Sequence, residues 1–247
     1  MTINSSIIKS KIFSQYDKII HGISVRIPNE PPHFNNLSRN AAQHQREAIN
    51  NQNRFYSQLG INPNRIAAAN QIHSSNITVV DNPGIYKNTD AFITNKPNLF
   101  LTISVADCAA VMIYDPVSKS VANIHSGWRG TLNNITGKTI SEMNKYFGSN
   151  PNDFIVYISP SISKNNFEVN QDVADLFPNL YKEKKLNSNG KYLIDLKKMI
   201  YVSLINEGVL KDNIEISDFC TFESPFLHSY RRDKAQSGRM FAVIGLI

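Results

Sequence analysis

A chain of 247 residues suits one large domain or two small ones and is long enough to bury a sizeable core. Hydrophobic residues make up 41% and charged residues 19%, an ordinary globular balance that excludes a largely disordered chain. The net charge of +6 is dispersed, its densest clusters (Lys182 to Lys185 and Arg231 to Lys234) each contain an acid, and no aromatic-basic stripe accompanies them, which argues against nucleic acid, and a small anionic substrate fits the charge equally well.

In chain order, the segment up to Lys18 lacks the basic start and long apolar run of a secretory signal. No window approaches the roughly 20 apolar residues that a membrane span needs, so the expected location is the cytoplasm. Residues 28–37 read as a Pro/Asn-rich loop. Residues 38–59 read as a helix with Ser38 as N-cap, Ala42, Ile49, Tyr56 and Leu59 near one face, and Gly60 as the stop. The middle of the chain is strand-rich. Residues 65–72 and 77–80 flank a turn at His73-Ser74-Ser75-Asn76. Residues 99–105 and 109–114 flank Ala106-Asp107-Cys108, and residues 121–124 end at His125. A glycine-bounded loop, Gly127-Trp128-Arg129-Gly130, then opens a helix that runs to Phe147. Further strands are expected at 154–158, 214–216 and 240–247, and helices at 172–177 and 196–207. Adjacent strands mixed with intervening helices predict an α+β fold, mixed β-sheets flanked by helices.

Two cysteines, Cys108 and Cys220, are expected as free thiols in a cytosolic chain. His73, Cys108 and His125 each fall at the end of a strand, where three donors can converge. Their spacing lacks the close pairs of a structural zinc knuckle. Three protein ligands with one open position suit a catalytic zinc, which lowers the pKa of a bound water towards about 7. The plainer alternative is a packed strand thiol with two turn histidines.

Six segments take the reading further: Asn70-Gln71-Ile72-His73, Thr89-Asp90-Ala91, Ala106-Asp107-Cys108, His125-Ser126-Gly127-Trp128-Arg129-Gly130, Cys220-Thr221, and Ser229-Tyr230-Arg231-Arg232-Asp233 with Ser237-Gly238-Arg239-Met240. In these segments the chain resembles the YfiH-like family, also called the laccase-domain or polyphenol oxidase family. The resemblance runs from His21-Gly22 onward and is expected to make residues 1–247 a single catalytic domain. It implies a fold similar to the catalytic domain of cytotoxic necrotizing factor, with His73, Cys108 and His125 as metal ligands. It also implies purine nucleoside phosphorylase and adenosine deaminase activity, on adenosine, inosine, guanosine and methylthioadenosine, with phosphate as the nucleophile in cleavage. Zinc is the expected metal, although the donors do not exclude copper. Departures from the family pattern are Ile27-Pro28-Asn29-Glu30, Ser159-Pro160-Ser161-Ile162-Ser163 and Asn165-Asn166-Phe167-Glu168-Val169.

Other roles are assigned on chemistry. Asp107 is a candidate acid/base or an outer partner orienting a histidine, whereas Asp90 reads as a strand cap. Arg129, at a helix start, is a candidate phosphate ligand, and Arg26, Arg231 and Arg232 are further anion-binding candidates. Trp128 reads as a packing anchor or a purine-stacking ring. Cys220 reads as structural, and His21, His33, His44 and His228 carry no role. Copper phenol oxidation is a poor fit to six histidines with no His-x-His pair. A metal-independent hydrolase using Cys108 and His125, and a binding module without turnover, are the remaining alternatives.

Overall fold

Short runs of β-branched and large apolar residues favour strands, and successive side chains then need cover on opposite faces. The computed structural model describes residues 2–4, 7–27, 35–37 and 45–247. Its strands are β1 (Thr2–Asn4), β2 (Ile7–Lys9), β3 (Ile19–Ser24), β4 (Ile66–Asn70), β5 (Ile77–Val79), β6 (Gly84–Lys87), β7 (Ala91–Thr94), β8 (Phe100–Val105), β9 (Ala109–Asp115), β10 (Ser120–Ser126), β11 (Ile155–Ile158), β12 (Glu168–Val169), β13 (Lys182–Lys184), β14 (Tyr192–Ile194), β15 (Ile214–Ile216) and β16 (Met240–Leu246). Its α-helices are α1 (Gln45–Gln58), α2 (Trp128–Leu132), α3 (Ile135–Phe147), α4 (Gln171–Ala174), α5 (Leu196–Asn206) and α6 (Tyr230–Asp233).

Two large mixed sheets result. One runs β1-β2-β3-β16-β8-β4-β6 and is antiparallel except where β4 lies parallel to β8 and β6. The other runs β15-β11-β9-β10-β7-β5, with parallel pairing only at its two ends. A small sheet, β12-β14-β13, lies apart from both. The fold is the mixed-sheet α+β class expected from the sequence.

Alternation sorts the side chains into layers. On β9, Met112 and Tyr114 join Leu101, Ile103, Ala242 and Ile244 of the other sheet in the central core. Val111 and Ile113 point the opposite way and pack with Ile140 and Met143 of α3 and Ile200 and Leu204 of α5. Behind the seven-stranded sheet, Phe100 and Val243 meet Phe55 and Tyr56 of α1. Every residue of β9 and β10 is buried. Each large apolar side chain sequestered there contributes about 1.5–3 kcal/mol. Sheets covered on both faces make strands that read as unbroken apolar runs.

Asn123 is the polar exception inside this core. Its Nδ2 donates to the carbonyls of Leu101 (2.8 Å) and Ala242 (2.9 Å), so β10 is bonded to two strands of the facing sheet. His125, two residues on, projects from the same face of β10.

Several elements differ from the sequence expectation. Helix α1 is described from Gln45, and Ser38 and Ala42 lie outside the described residues, as do His33 and His44. The helix expected to run unbroken to Phe147 is two helices. Asn134, at φ 53°, turns the chain between them and caps α3 by accepting the Gly137 N–H. Helix α4 ends at Ala174 and not Phe177. Strands β1 to β3, β6, β7 and β12 to β14 were not expected, because they are short or broken by His, Gly and Lys. Among the described residues, no helix is long and apolar enough to cross a membrane.

Candidate metal centre

Three chain segments carry the centre. His73 follows β4, Cys108 sits in the turn between β8 and β9, and His125 lies near the end of β10 opposite Ala110 of β9. Their donor atoms all lie within 4.8 Å of one another. His125 is buried, Cys108 half-buried and His73 exposed, so the set is closed beneath and open above. The two imidazoles meet edge to face, with ring centroids 4.8 Å apart. Both cysteines are free, as expected.

Asp90 is the floor of this arrangement. It is fully buried at the start of β7. One carboxylate oxygen accepts from His73 N (3.0 Å) and bonds His125 Nδ1 (2.8 Å). The other accepts from Ile72 N, Ser74 N and the Ser74 hydroxyl. Its backbone carbonyl accepts the His125 N–H. The Nδ1 bond fixes the His125 ring and leaves Nε2 for the Cys108 side. The same carboxylate holds the His73 loop, in which His73 adopts φ 59°, a left-handed conformation costly for a side-chain-bearing residue. Burial pushes the Asp90 carboxyl up, but bonds from His125 and Ser74 outweigh this and hold it at about 2.

The electrostatics of the donors are mutual. Burial alone would raise the Cys108 thiol, but the adjacent His125 and His73 hold it below its ordinary value. Burial would lower His125, but the Cys108 sulfur and Asp90 hold it above its ordinary value. Gly127 completes the cradle. A Cβ there would lie 3.1 Å from Cys108 Sγ and 3.2 Å from His73 Cδ2, so a side chain would press on two donors at once.

The open face looks into a cavity of about 750 Å3. Ala68 to Gln71, Ile85 and Phe241 line one flank, and Trp128, Ile162, Phe167, Tyr230 and Arg231 another, with Arg239 also on its wall. Gln71 is committed to structure: its amide bonds both the N–H and the carbonyl of Ser104. Trp128 packs against Phe177, as expected of an anchor, and lines the cavity.

The remaining predicted residues separate. Asp107 lines the cavity, but its carboxylate accepts from the Thr221 hydroxyl and Arg231 N (both 2.6 Å) and does not touch a histidine. The carboxylate that orients a histidine is Asp90, which in the sequence reads as a strand cap. Arg231 reaches the cavity wall. Arg129 is exposed, stacks on Trp128 and does not line the cavity. Arg26 also lies off the cavity and donates to the Pro225 carbonyl. Arg232 is bound to four backbone carbonyls and, through two nitrogens, to Asp233. Cys220 is buried and accepts from Ser163 N. Arg239 carried no assigned role in the sequence; its place in the Ser237 to Met240 motif was the only signal.

A family model described as multi-copper polyphenol oxidoreductase laccase matches residues 22–247. The chain belongs to this laccase-domain, YfiH-like family. Among its relatives, a purine nucleoside phosphorylase of Deinococcus radiodurans is 33% identical over 202 residues, 81% of this chain and 78% of that one. The purine nucleoside phosphorylase YlmD of Bacillus subtilis is 36% identical over 165 residues, and the match spans 59% of that relative's length. The crystal structure of the hypothetical protein YfiH of Bacillus licheniformis superposes with a TM-score of 0.89 at 29% identity, covering 99% of this chain and 97% of that one. YlmD of Geobacillus stearothermophilus shares the fold, with a TM-score of 0.90 at 24% identity. The "multi-copper" of the family description finds no counterpart in donor number. Among the described residues, His73, Cys108 and His125 form the one group of three or more ligand-type side chains close enough to share an ion.

Proposed function

We propose that this laccase-domain chain works in the cytoplasm as a single zinc-dependent catalytic unit that cleaves purine nucleosides with phosphate. Its substrates are adenosine, inosine, guanosine and methylthioadenosine, and the same centre deaminates adenosine. The observation that carries the reading is the convergence of His73, Cys108 and His125 on one open face of a cavity with aromatic and arginine walls. Relatives named purine nucleoside phosphorylase support the substrate class.

The residues fit zinc. Two imidazoles and a thiolate are a catalytic donor set, Asp90 supplies the outer carboxylate that fixes one imidazole, and Gly127 leaves the room a side chain would fill. His73, Cys108 and His125 would hold the zinc, which would supply Lewis acidity in the cavity. The chain's own groups do the rest. Trp128 and Phe167 give the purine apolar flanking surface, and the cavity arginines hold the anionic nucleophile. In phosphorolysis a phosphate oxygen forms the new bond to C1′. The C1′–N9 bond breaks with its electron pair on the base, which takes up one proton. In deamination, a water oxygen forms the new bond to C6, the C6–N bond breaks, and the amino group takes up a proton from that water and leaves as ammonia.

The test combines elemental analysis with release of free base from inosine and of ammonia from adenosine, each with and without phosphate and chelator. About one zinc per chain with phosphate-dependent, chelator-sensitive base release is expected. The Cys108→Ala variant should lose metal and activity together, and a metal-free Cys108→Ala protein that still turns over sinks the model. One observation favours a second reading: Cys108, His125 and Asp90 also form a thiol–imidazole–carboxylate series. A hydrolase of that kind is killed by thiol alkylation and indifferent to chelation. Copper in the purified chain with oxidation of a phenol would instead favour the oxidase named in the family description.

A further inference from the structure

The cavity wall carries two guanidinium groups, Arg231 and Arg239, that form no salt bridge among the described residues, Arg231 lying over the Phe167 ring at 5.4 Å. Glu168, whose carbonyl accepts from Arg231 Nη1 at 2.8 Å, gives its carboxylate to Lys185. Arg239 Nη1 is held by the carbonyls of Ser237 (3.0 Å) and Gly238 (2.9 Å), and its guanidinium lies over the Tyr230 ring at 5.6 Å. In both residues one Nη1 is tied to backbone, while Nη2 and Nε have no partner among the described residues. Half-buried cations left in this way favour an anion in the space they face, and the free edge of a guanidinium matches two oxygens of phosphate.

We propose that Arg231 and Arg239 form the anion subsite of the cavity and there hold the phosphate co-substrate. This rests on the phosphorolysis reading for the identity of the anion, though not for the existence of the subsite. The other candidate arginines are elsewhere: Arg129 on Trp128, Arg26 on Pro225, and Arg232 among carbonyls and Asp233. Asp107 couples the subsite to the centre. It adopts φ 86° beside Cys108, and its carboxylate takes the backbone N–H of Arg231. One residue therefore links the loop carrying the thiol to the loop carrying the anion ligand, which places the nucleophile within the same chamber as the metal.

The test is calorimetric titration of the metal-loaded protein with inorganic phosphate. It uses wild type, Arg231→Gln, Arg239→Gln and Arg239→Lys, with Lys145→Gln, at an exposed position of α3, as a control for net charge. Each Gln variant should weaken phosphate binding roughly 10- to 100-fold, as expected for loss of a charge-assisted contact. Arg239→Lys should recover part of that loss, and Lys145→Gln should match wild type. In turnover, KM for phosphate should rise far more than KM for inosine. Gln variants that bind phosphate as wild type does, or a wild-type protein that binds none, overturn the subsite. If Arg239→Gln does not fold, Arg231→Gln and Arg239→Lys decide the matter. Phosphate binding that depends on both arginines, without base release from any nucleoside, would leave the subsite standing and remove phosphorolysis.

Discussion

Two buried histidines, one in each large sheet, have opposite chemistry. His125 on β10 is 3% exposed and His21 on β3 is 4% exposed, so burial does not distinguish them. Their partners do. His125 meets the Asp90 carboxylate through Nδ1 and has the Cys108 thiol beyond it. His21 offers its Nε2 as an acceptor to the Ser10 N–H at 3.0 Å and packs edge-on against Phe13. Burial, with the charge of Lys9 added, pulls His21 down to about 4, and a ring nitrogen that accepts an N–H is unprotonated. One imidazole is thus equipped as a donor to an electrophile, and the other is locked neutral as a core residue. What separates the two strand histidines is the carboxylate behind His125, the kind of partner that orients a ligating imidazole.

The comparison breaks most directly at Asp90. Asp90→Ala leaves the His125 Nδ1, the His73 N–H and the Ser74 groups without their shared acceptor. Metal affinity, read by competition with a chromogenic chelator, should fall roughly 10- to 100-fold or more. Retention of wild-type affinity would show that the carboxylate does not set the His125 ring.

The second test concerns His21 and pH. Its folded pKa of about 4 lies below the ordinary histidine value of 6.5, so the unfolded chain binds the proton more readily. The stability it contributes is fully present above about 6.5 and is lost as pH falls through about 4. The loss reaches roughly 3 kcal/mol at the lower end, from about 1.4 kcal/mol per pKa unit. His228, held at about 4 by burial and then by Arg26, adds to the same slope. Urea melts at pH 7, 5.5 and 4.5 should show wild type losing stability faster than His21→Gln. Parallel slopes would mean that His21 is not kept neutral in the fold.

The smallest effect is expected at Asp107→Asn. The amide oxygen still accepts the Arg231 N–H, and the new NH2 faces the Thr221 hydroxyl, which can turn to accept, so metal content should stay near wild type, while turnover drops only a few-fold through a looser Arg231. A large loss of metal would mean that Asp107, and not Asp90 alone, steadies the donors.

How much of this is readable in the sequence follows from the range of each interaction. Strands β8, β9 and β10 are legible because both their faces are buried, which writes an unbroken apolar run into the chain. The convergence of His73, Cys108 and His125 is legible through its motifs. Asp90 is misread because its role depends on groups drawn from Ile72 to Ser74 and from His125, which only the tertiary fold brings together. Arg239 and Arg232 sit in neighbouring motifs with the same side chain. Which one faces the cavity is decided by the carbonyls of residues 221 to 227, five to eleven positions away, closing around Arg232, an outcome of loop geometry that no sequence periodicity marks.

The Asn123 bonds across the two sheets have a consequence for folding fidelity. A one-residue slip of β10 would turn Asn123 and His125 together to the helix-facing side. The slipped chain would bury an amide among α3 side chains and, in the same motion, withdraw a ligand from the centre. Correct strand alignment and the capacity to capture an ion are then one property, so that a chain that has folded out of register declares itself by remaining empty.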